Sequence, residues 1–270
     1  MKPRKLNTRQ GKASVILFAV PGAGKTRLIA GGKKTLIIRP PSDHVDSVDF
    51  DNDCEEIVVE NWAEMFEAEH YVMTEGWKKF DWVWLDSLSL FQDYGLADVL
   101  DDAIARKPER AIEKGGLMVV EHGPDKGEYR TNMDRVAKFV REMQALAEED
   151  KFHFGMTAHP FEWYDPVRDD DVWAPWIQGK NMIPKICGYM NMVLYLETKN
   201  RKGKPPAQCL YSQAEGIYGK DQYQCFPELK SGKRGLVNPT MTKLTAAIEG
   251  STGKRSPRGG RRKRTNKRRS

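Results

Sequence analysis

Short apolar runs alternate along this chain with stretches in which apolar residues recur at helical spacing. Apolar, β-branched runs predict buried strands at 15–20, 35–39, 57–59, 80–85, 152–158 and 190–196. Helical spacing predicts helices at 25–30, 61–73, 132–150, 181–188 and 240–248. Asn61 and Asn132 are the predicted N-caps of two of these helices. Strands alternating with helices predict an α/β fold, a mostly parallel sheet flanked by helices, with a C-terminal β-hairpin near 209–218.

Two segments between these elements lack a clear period. Residues 107–131 are rich in Gly, Pro and charged residues, which predicts an insertion or a mobile loop. Residues 161–180 combine acidic and aromatic residues, and we expect an irregular loop there. The segment 1–13 is basic and polar and is interpreted as a flexible leader.

Composition narrows the class of protein. The 270 residues contain no run of 18 apolar residues, so neither a transmembrane helix nor a membrane partner is expected. We therefore predict a cytoplasmic protein. The four cysteines have no C-x-x-C spacing, so reduced thiols are favoured over a zinc site.

Positive charge is concentrated at the C-terminus. The last twenty residues hold ten Lys or Arg and no acid, while the other 250 hold 34 basic and 38 acidic groups. Such a segment repels itself and lacks apolar residues, so 250–270 is predicted to be a disordered tail. A nucleic acid is the predicted partner, with a role in solubility or localisation as the alternative. The predicted contacts are Lys254, Arg255, Arg258, Arg261, Arg262, Lys263 and Arg264.

A glycine-rich turn follows the first predicted strand. The pattern G-x-x-x-x-G-K-[ST] is matched at its Gly-Lys-Thr end, whereas Ala19 stands where the first glycine is usual. Gly22 and Gly24 allow backbone N–H groups to turn toward a polyphosphate, Lys25 can reach its β- and γ-phosphates, and Thr26 can ligate Mg²⁺. The sequence therefore predicts an ATP and Mg²⁺ site. Its predicted binding residues are Pro21, Gly22, Ala23, Gly24, Lys25, Thr26 and Arg27.

Two later strands end in residues that suit the same site. The apolar run 80–85 is followed by Asp86, which is predicted to hold Mg²⁺ directly or through water. The run 152–158 is followed by His159, which we predict to sense the γ-phosphate.

Hydrolysis would also need a group that orients or deprotonates water. The acid expected directly after the second strand is missing. Asp43 and Glu60 are the nearest candidates, and a plain surface acid is the alternative for each. The predicted catalytic set is thus Lys25, Asp43, Glu60 and His159.

With these motifs in hand, the chain resembles the phage RecA-like nucleotide-binding proteins, a P-loop family of the AAA type that includes phage single-strand annealing ATPases. The resemblance spans about 14–227. It depends on the order of five motifs: 21–26, 86–90, 157–159, 186–191, and 219–222 with 226–227.

The resemblance implies a RecA-like ATPase domain over 14–249 that forms a homo-oligomer. It implies an ATPase dependent on single-stranded DNA, its predicted nucleic-acid partner, acting in phage DNA recombination, repair or replication. A phage-encoded protein would act in the cytoplasm of the host. A nucleotide-dependent DNA-binding or loader protein that does not hydrolyse ATP, and a P-loop kinase of a small molecule, are the alternatives. Because no acidic residue stands directly after the second strand, the sequence leaves open whether bound ATP is hydrolysed.

Overall fold

A computed structural model describes residues 12–41, 53–114, 117–121, 123–179, 181–201, 203–229 and 231–252. The strands are β1 (Ser14–Phe18), β2 (Thr35–Arg39), β3 (Cys54–Val58), β4 (Trp82–Leu85), β5 (Ala111–Lys114), β6 (Leu117–Val120), β7 (His153–Ala158), β8 (Pro160–Asp165), β9 (Asp170–Pro175), β10 (Met192–Arg201), β11 (Lys204–Gln213), β12 (Lys220–Asp221) and β13 (Arg234–Val237). The helices are α1 (Lys25–Ala30), α2 (Trp62–Thr74), α3 (Leu88–Arg106), α4 (Lys126–Glu148), α5 (Met182–Tyr189) and α6 (Met241–Thr252).

The fold is α/β with a mixed sheet. Across the described residues, nine strands form one sheet in the order β13-β11-β10-β1-β7-β4-β2-β3, with β12 paired to β10. All pairs from β3 to β10 are parallel, and β11, β12 and β13 add antiparallel strands at one side. Two further hairpins, β5–β6 and β8–β9, lie outside this sheet.

Both faces of the central strands are buried, which explains their unbroken apolar runs. Along β1, Ile16 and Phe18 join a core covered by α2, α3, α4 and α5. Val15 and Leu17 join the core on the opposite face, which is covered by α1 and α6. No helix among the described residues is both long and apolar enough to span a bilayer.

The described residues of 107–131 form regular elements, so the prediction of a mobile loop there is wrong, while the alternative of an insertion is not tested. The segment contains a 3₁₀ turn, the β5–β6 hairpin and the first turns of α4. Helix α4 begins at Lys126 rather than at Asn132, because the Asp125 side chain accepts hydrogen bonds from the N–H groups of Gly127 and Glu128. The Glu128 carboxylate accepts from the Asp125 N–H in return, which completes a capping box. Asn132 lies buried within α4 and donates to the Gln92 carbonyl at 2.9 Å.

The segment 161–180 also differs from its prediction. Strands β8 and β9 form an antiparallel hairpin in which Trp163 pairs with Val172. The Trp163 ring packs edge-on against Tyr218, so the hairpin is anchored to the body on one face. The predicted hairpin at 209–218 is replaced by longer pairings of β11 with β10 and β13. By contrast, Asn61 caps α2 as predicted, since its side chain accepts from the Glu64 N–H.

The buried Glu69 of α2 lies against Glu142, a partly exposed carboxylate of α4. Glu69 is 5% exposed and forms a side-chain hydrogen bond with Glu142. Burial, together with the neighbouring Glu142, raises the pKa of Glu69 from its ordinary 4.5 to about 8, against a smaller opposing effect of Lys138. The folded state therefore holds a proton that the unfolded state releases at lower pH.

Glu69→Gln is expected to flatten the pH dependence of stability. A raised folded pKa stabilises the wild-type fold fully below about pH 4.5, and this contribution is lost as the pH rises through about 8. The free energy of unfolding should thus fall between those values in the wild type and fall less in the variant. Urea unfolding across this range measures it, with exposed Glu67→Gln as the matched control. Parallel pH profiles for Glu69→Gln and the wild type would contradict the assignment.

Candidate functional site

The carboxyl ends of three neighbouring strands converge at one edge of the sheet. Strand β7 lies between β1 and β4, and all three run in parallel. The loop 19–24 follows β1, Asp86 follows β4 and His159 follows β7. Three of the predicted site positions are therefore brought together, at the kind of edge where α/β sheets bind ligands.

The loop after β1 has a backbone that suits glycine at two positions. Gly22 has φ 77° and Gly24 has φ 90°, both in the left-handed region. A Cβ at Gly24 would also lie 2.7 Å from Gln208 Nε2. The Ala23 carbonyl accepts hydrogen bonds from Gln208 Nε2 at 2.8 Å and from Thr198 Oγ1 at 3.2 Å. Side chains of β10 and β11 thus fix the position of the loop through its Ala23 carbonyl.

Lys25 is mostly buried at the base of this loop. Its side chain is 9% exposed, and Nζ donates to the Ala19 carbonyl at 3.0 Å and to that of Val20 at 3.5 Å. Ala19 is itself fully buried, and its methyl group packs in the core beneath the loop, so the residue that departs from the usual glycine is accommodated. Arg27, by contrast, lies exposed on α1.

Asp86, at the end of β4, is hydrogen-bonded to side chains of α1 and β7. Its carboxylate is 2% exposed and accepts a hydrogen bond from Thr26 Oγ1 at 2.7 Å through Oδ2. Its Oδ1 accepts from Thr157 Oγ1, which lies one residue before the end of β7. A buried carboxylate is expensive unless it is hydrogen-bonded, so these two hydroxyls fix its position and orientation.

His159 lies within electrostatic reach of the same cluster. Burial lowers the pKa of its imidazole, the nearby Lys25 ammonium lowers it further, and Asp86 opposes both. The ring is thus neutral at pH 7 and can both donate and accept a hydrogen bond. Its backbone N–H donates to Ser89 Oγ at 2.9 Å, and its carbonyl accepts from the Trp176 N–H at 2.7 Å. The role of His159 as a sensor stays a prediction.

The structure does not bring Glu60 into this cluster. Glu60 follows the edge strand β3, two strands from β4, which is roughly 10 Å at the usual strand spacing. Its side chain is exposed, and its N–H donates to Glu64 Oε2 at 2.7 Å at the start of α2. A catalytic role for Glu60 is therefore not supported by its position. Asp43 lies outside the described residues, as do the seven predicted tail contacts, so hydrolysis and tail binding stay predictions.

Four polar residues of the site were not predicted from the sequence: Thr157, Ser89, Thr198 and Gln208. Thr157 could have been singled out from the sequence, because it is the one hydroxyl in the otherwise apolar run 154–158. Nothing in the sequence marks Thr198 and Gln208, since their contact with the loop depends on which strands pair with β1.

No protein-family model matches the chain. The chain is similar to the molybdate/tungstate-binding protein WtpA of Thermococcus kodakarensis, at 30% identity over 107 residues. The match covers 39% of this chain and 29% of that protein, so the chain spans less than a third of its relative's length. Membership of the phage RecA-like family, its RecA-like core and its homo-oligomer stay predictions.

This similarity corrects the predicted function. The relative is named for binding molybdate and tungstate, which are small molecules, and not for acting on DNA. The prediction of an ATPase that acts on single-stranded DNA in recombination, repair or replication, with its two alternatives, is contradicted by this finding and is withdrawn.

Proposed function

We propose that the chain binds a small molecule through tetrahedral oxyanion groups, and that this ligand is Mg²⁺-bound ATP held by its phosphates. The ligand would lie over the loop 21–26 at the carboxyl edge of β1. Backbone N–H groups of this loop and the Lys25 ammonium supply the donors and the positive charge that a phosphate chain requires.

The observation that carries the proposal is the buried Asp86 carboxylate beside the Thr26 hydroxyl. Their oxygens are 2.7 Å apart, directly below the loop that carries Lys25. Carboxylate and hydroxyl oxygens are the ligands that Mg²⁺ prefers, usually together with phosphate oxygens. Thr26 and Asp86 would hold the ion, which would neutralise part of the charge of the bound phosphates.

Asp86→Asn is expected to remove most of the effect of Mg²⁺ on ATP binding. Asparagine keeps the shape, and its amide can accept from one of the two threonine hydroxyls and donate to the other, but it lacks the negative charge that a divalent ion needs. The gain in ATP affinity on adding Mg²⁺ should shrink by about tenfold, which corresponds to ~1.4 kcal/mol. Isothermal titration calorimetry with ATP, with and without Mg²⁺, measures this gain.

The matched control is Asp101→Asn, an equal loss of charge at an exposed position of α3. It should retain the wild-type gain on adding Mg²⁺. An Asp86→Asn protein with the same gain as the control would contradict the assignment of Asp86 to the metal.

A second candidate ligand follows from the comparison with known proteins. Molybdate and tungstate are tetrahedral dianions, as is a terminal phosphate group, so a cradle for one can in chemical terms accept the other. The similarity to a protein named for these anions favours testing them directly. Binding of molybdate that survives Lys25→Ala would place it at a different site, whereas molybdate that competes with ATP would place both ligands at the same loop.

A further inference from the structure

The β8–β9 hairpin exposes a face that is both acidic and aromatic. On this face Glu162 pairs with Trp173, and Tyr164 pairs with Asp171, directly across the two strands. Trp173 is 45% exposed and Tyr164 is 53% exposed, although both have large apolar rings. We call these four residues the acidic hairpin face.

The charge of this hairpin is almost entirely negative. The turn and the start of β9 add the exposed carboxylates of Asp169 and Asp170. Arg168 is the hairpin's one basic residue, and its guanidinium already has partners: Nε lies 3.3 Å from buried Asp165, and Nη1 donates to the Ile217 carbonyl. Within the part of the chain that the structure describes, Glu162, Asp170 and Asp171 form no ion pair.

A carboxylate directly opposite an aromatic ring, repeated at adjacent pairs, fits a cationic side chain. A guanidinium or ammonium group can lie over the ring and donate to the neighbouring carboxylate at once. Two such positions follow one another along the hairpin, so an extended basic segment can contact both.

We propose that the acidic hairpin face docks the basic C-terminal segment 253–270 of the same chain. That segment holds ten Lys or Arg and no acid, while the other 252 residues carry a net charge of −4. Charge complementarity within one chain therefore selects this occupant.

The segment is long enough to reach the hairpin. Near the end of α6, Glu249 lies 3.5 Å from His153, the first residue of β7. The hairpin begins just beyond the other end of β7, which spans about 20 Å, and extends about 20 Å further. Eighteen extended residues span up to about 60 Å, so docking within one chain needs no second copy.

Zero-length carbodiimide cross-linking of the full chain at low salt tests the contact. This reagent joins a lysine amine to a carboxylate that touches it. Mass spectrometry should find Lys254, Lys263 or Lys267 joined to Glu162, Asp169, Asp170 or Asp171. Links from these lysines to other carboxylates only, or no links, would overturn the proposal.

A mixture of isotope-labelled and unlabelled chain should give links within one chain, and links between chains would assign the face to a second copy instead.

Trypsin cleavage of the segment gives an independent readout. The double variant Glu162→Gln with Asp171→Asn should be cut in 253–270 roughly fivefold faster than the wild type at about 20 mM salt, because exposed ionic contacts of this kind are weak but additive. High salt should remove the difference. The control Glu67→Gln with Asp101→Asn loses the same charge elsewhere and should be cut at the wild-type rate. Equal rates for both double variants, with unchanged thermal unfolding, would contradict docking.

Discussion

Lys25→Ala is expected to weaken ATP binding at least about a hundredfold, equivalent to ~2.7 kcal/mol. Charge-assisted hydrogen bonds are the strongest that a side chain makes with a phosphate, and Lys25 is largely shielded from solvent at the base of the loop. Removing the ammonium also leaves the phosphate charge uncompensated. Isothermal titration calorimetry with Mg²⁺ and ATP measures the loss.

Two controls keep this result interpretable. Lys33→Ala removes the same charge at an exposed position just beyond α1 and should bind ATP as the wild type does. Lys25→Met keeps the aliphatic stem that packs beneath the loop, so it separates loss of charge from loss of packing. The account is contradicted if Lys25→Ala binds ATP with the wild-type affinity.

Gly155→Ala is expected to lower the free energy of unfolding by about 3 kcal/mol, at the upper end of the range for overpacking. Gly155 lies on β7 beside Trp84 of β4, and an added Cβ would fall 2.3 Å from the Trp84 ring. The Trp84 ring is fully buried and stacks on Trp82, which stacks in turn on His153, so it has no free space into which to move. For a chain of this size the melting temperature should fall by about 8 °C.

Gly188→Ala is the matched control for this change. A Cβ at Gly188 meets no atom within 4 Å, and its place in α5 favours alanine, so stability should stay the same or rise slightly. Combining Gly155→Ala with Trp84→Phe should cost less than the two single changes together, since the smaller ring makes room. If the Gly155→Ala variant unfolds at the same temperature as the wild type, the Trp84 ring is not packed as described.

The sequence located the central strands because those strands are buried on both faces. The apolar run at 35–39 coincides with β2, and the runs before Asp86 and His159 contain β4 and β7 with their ends in place. Such runs need no knowledge of their neighbours to be recognised. The convergence of Lys25, Thr26 and Asp86 follows for the same reason, since Asp86 comes directly after β4 and the short loop after β1 leads straight to Lys25 and Thr26.

The hairpins were missed because their pattern depends on tertiary contacts. In β8–β9 the aromatic residues stand on both faces, Trp163 against the body and Trp173 toward solvent, so no alternation of apolar and polar residues is visible. The start of α4 was also predicted wrongly, but for a different reason. The capping-box spacing of Asp125 and Glu128 can be recognised from sequence alone and was overlooked. Thr198 and Gln208 required the strand order, which composition and periodicity do not encode.

The measurement that most directly tests the proposed function is calorimetric titration of the full chain with ATP, first with Mg²⁺ and then with a chelator. The account predicts saturable binding near one ATP per chain that weakens when Mg²⁺ is removed. The absence of saturable binding under both conditions would contradict it.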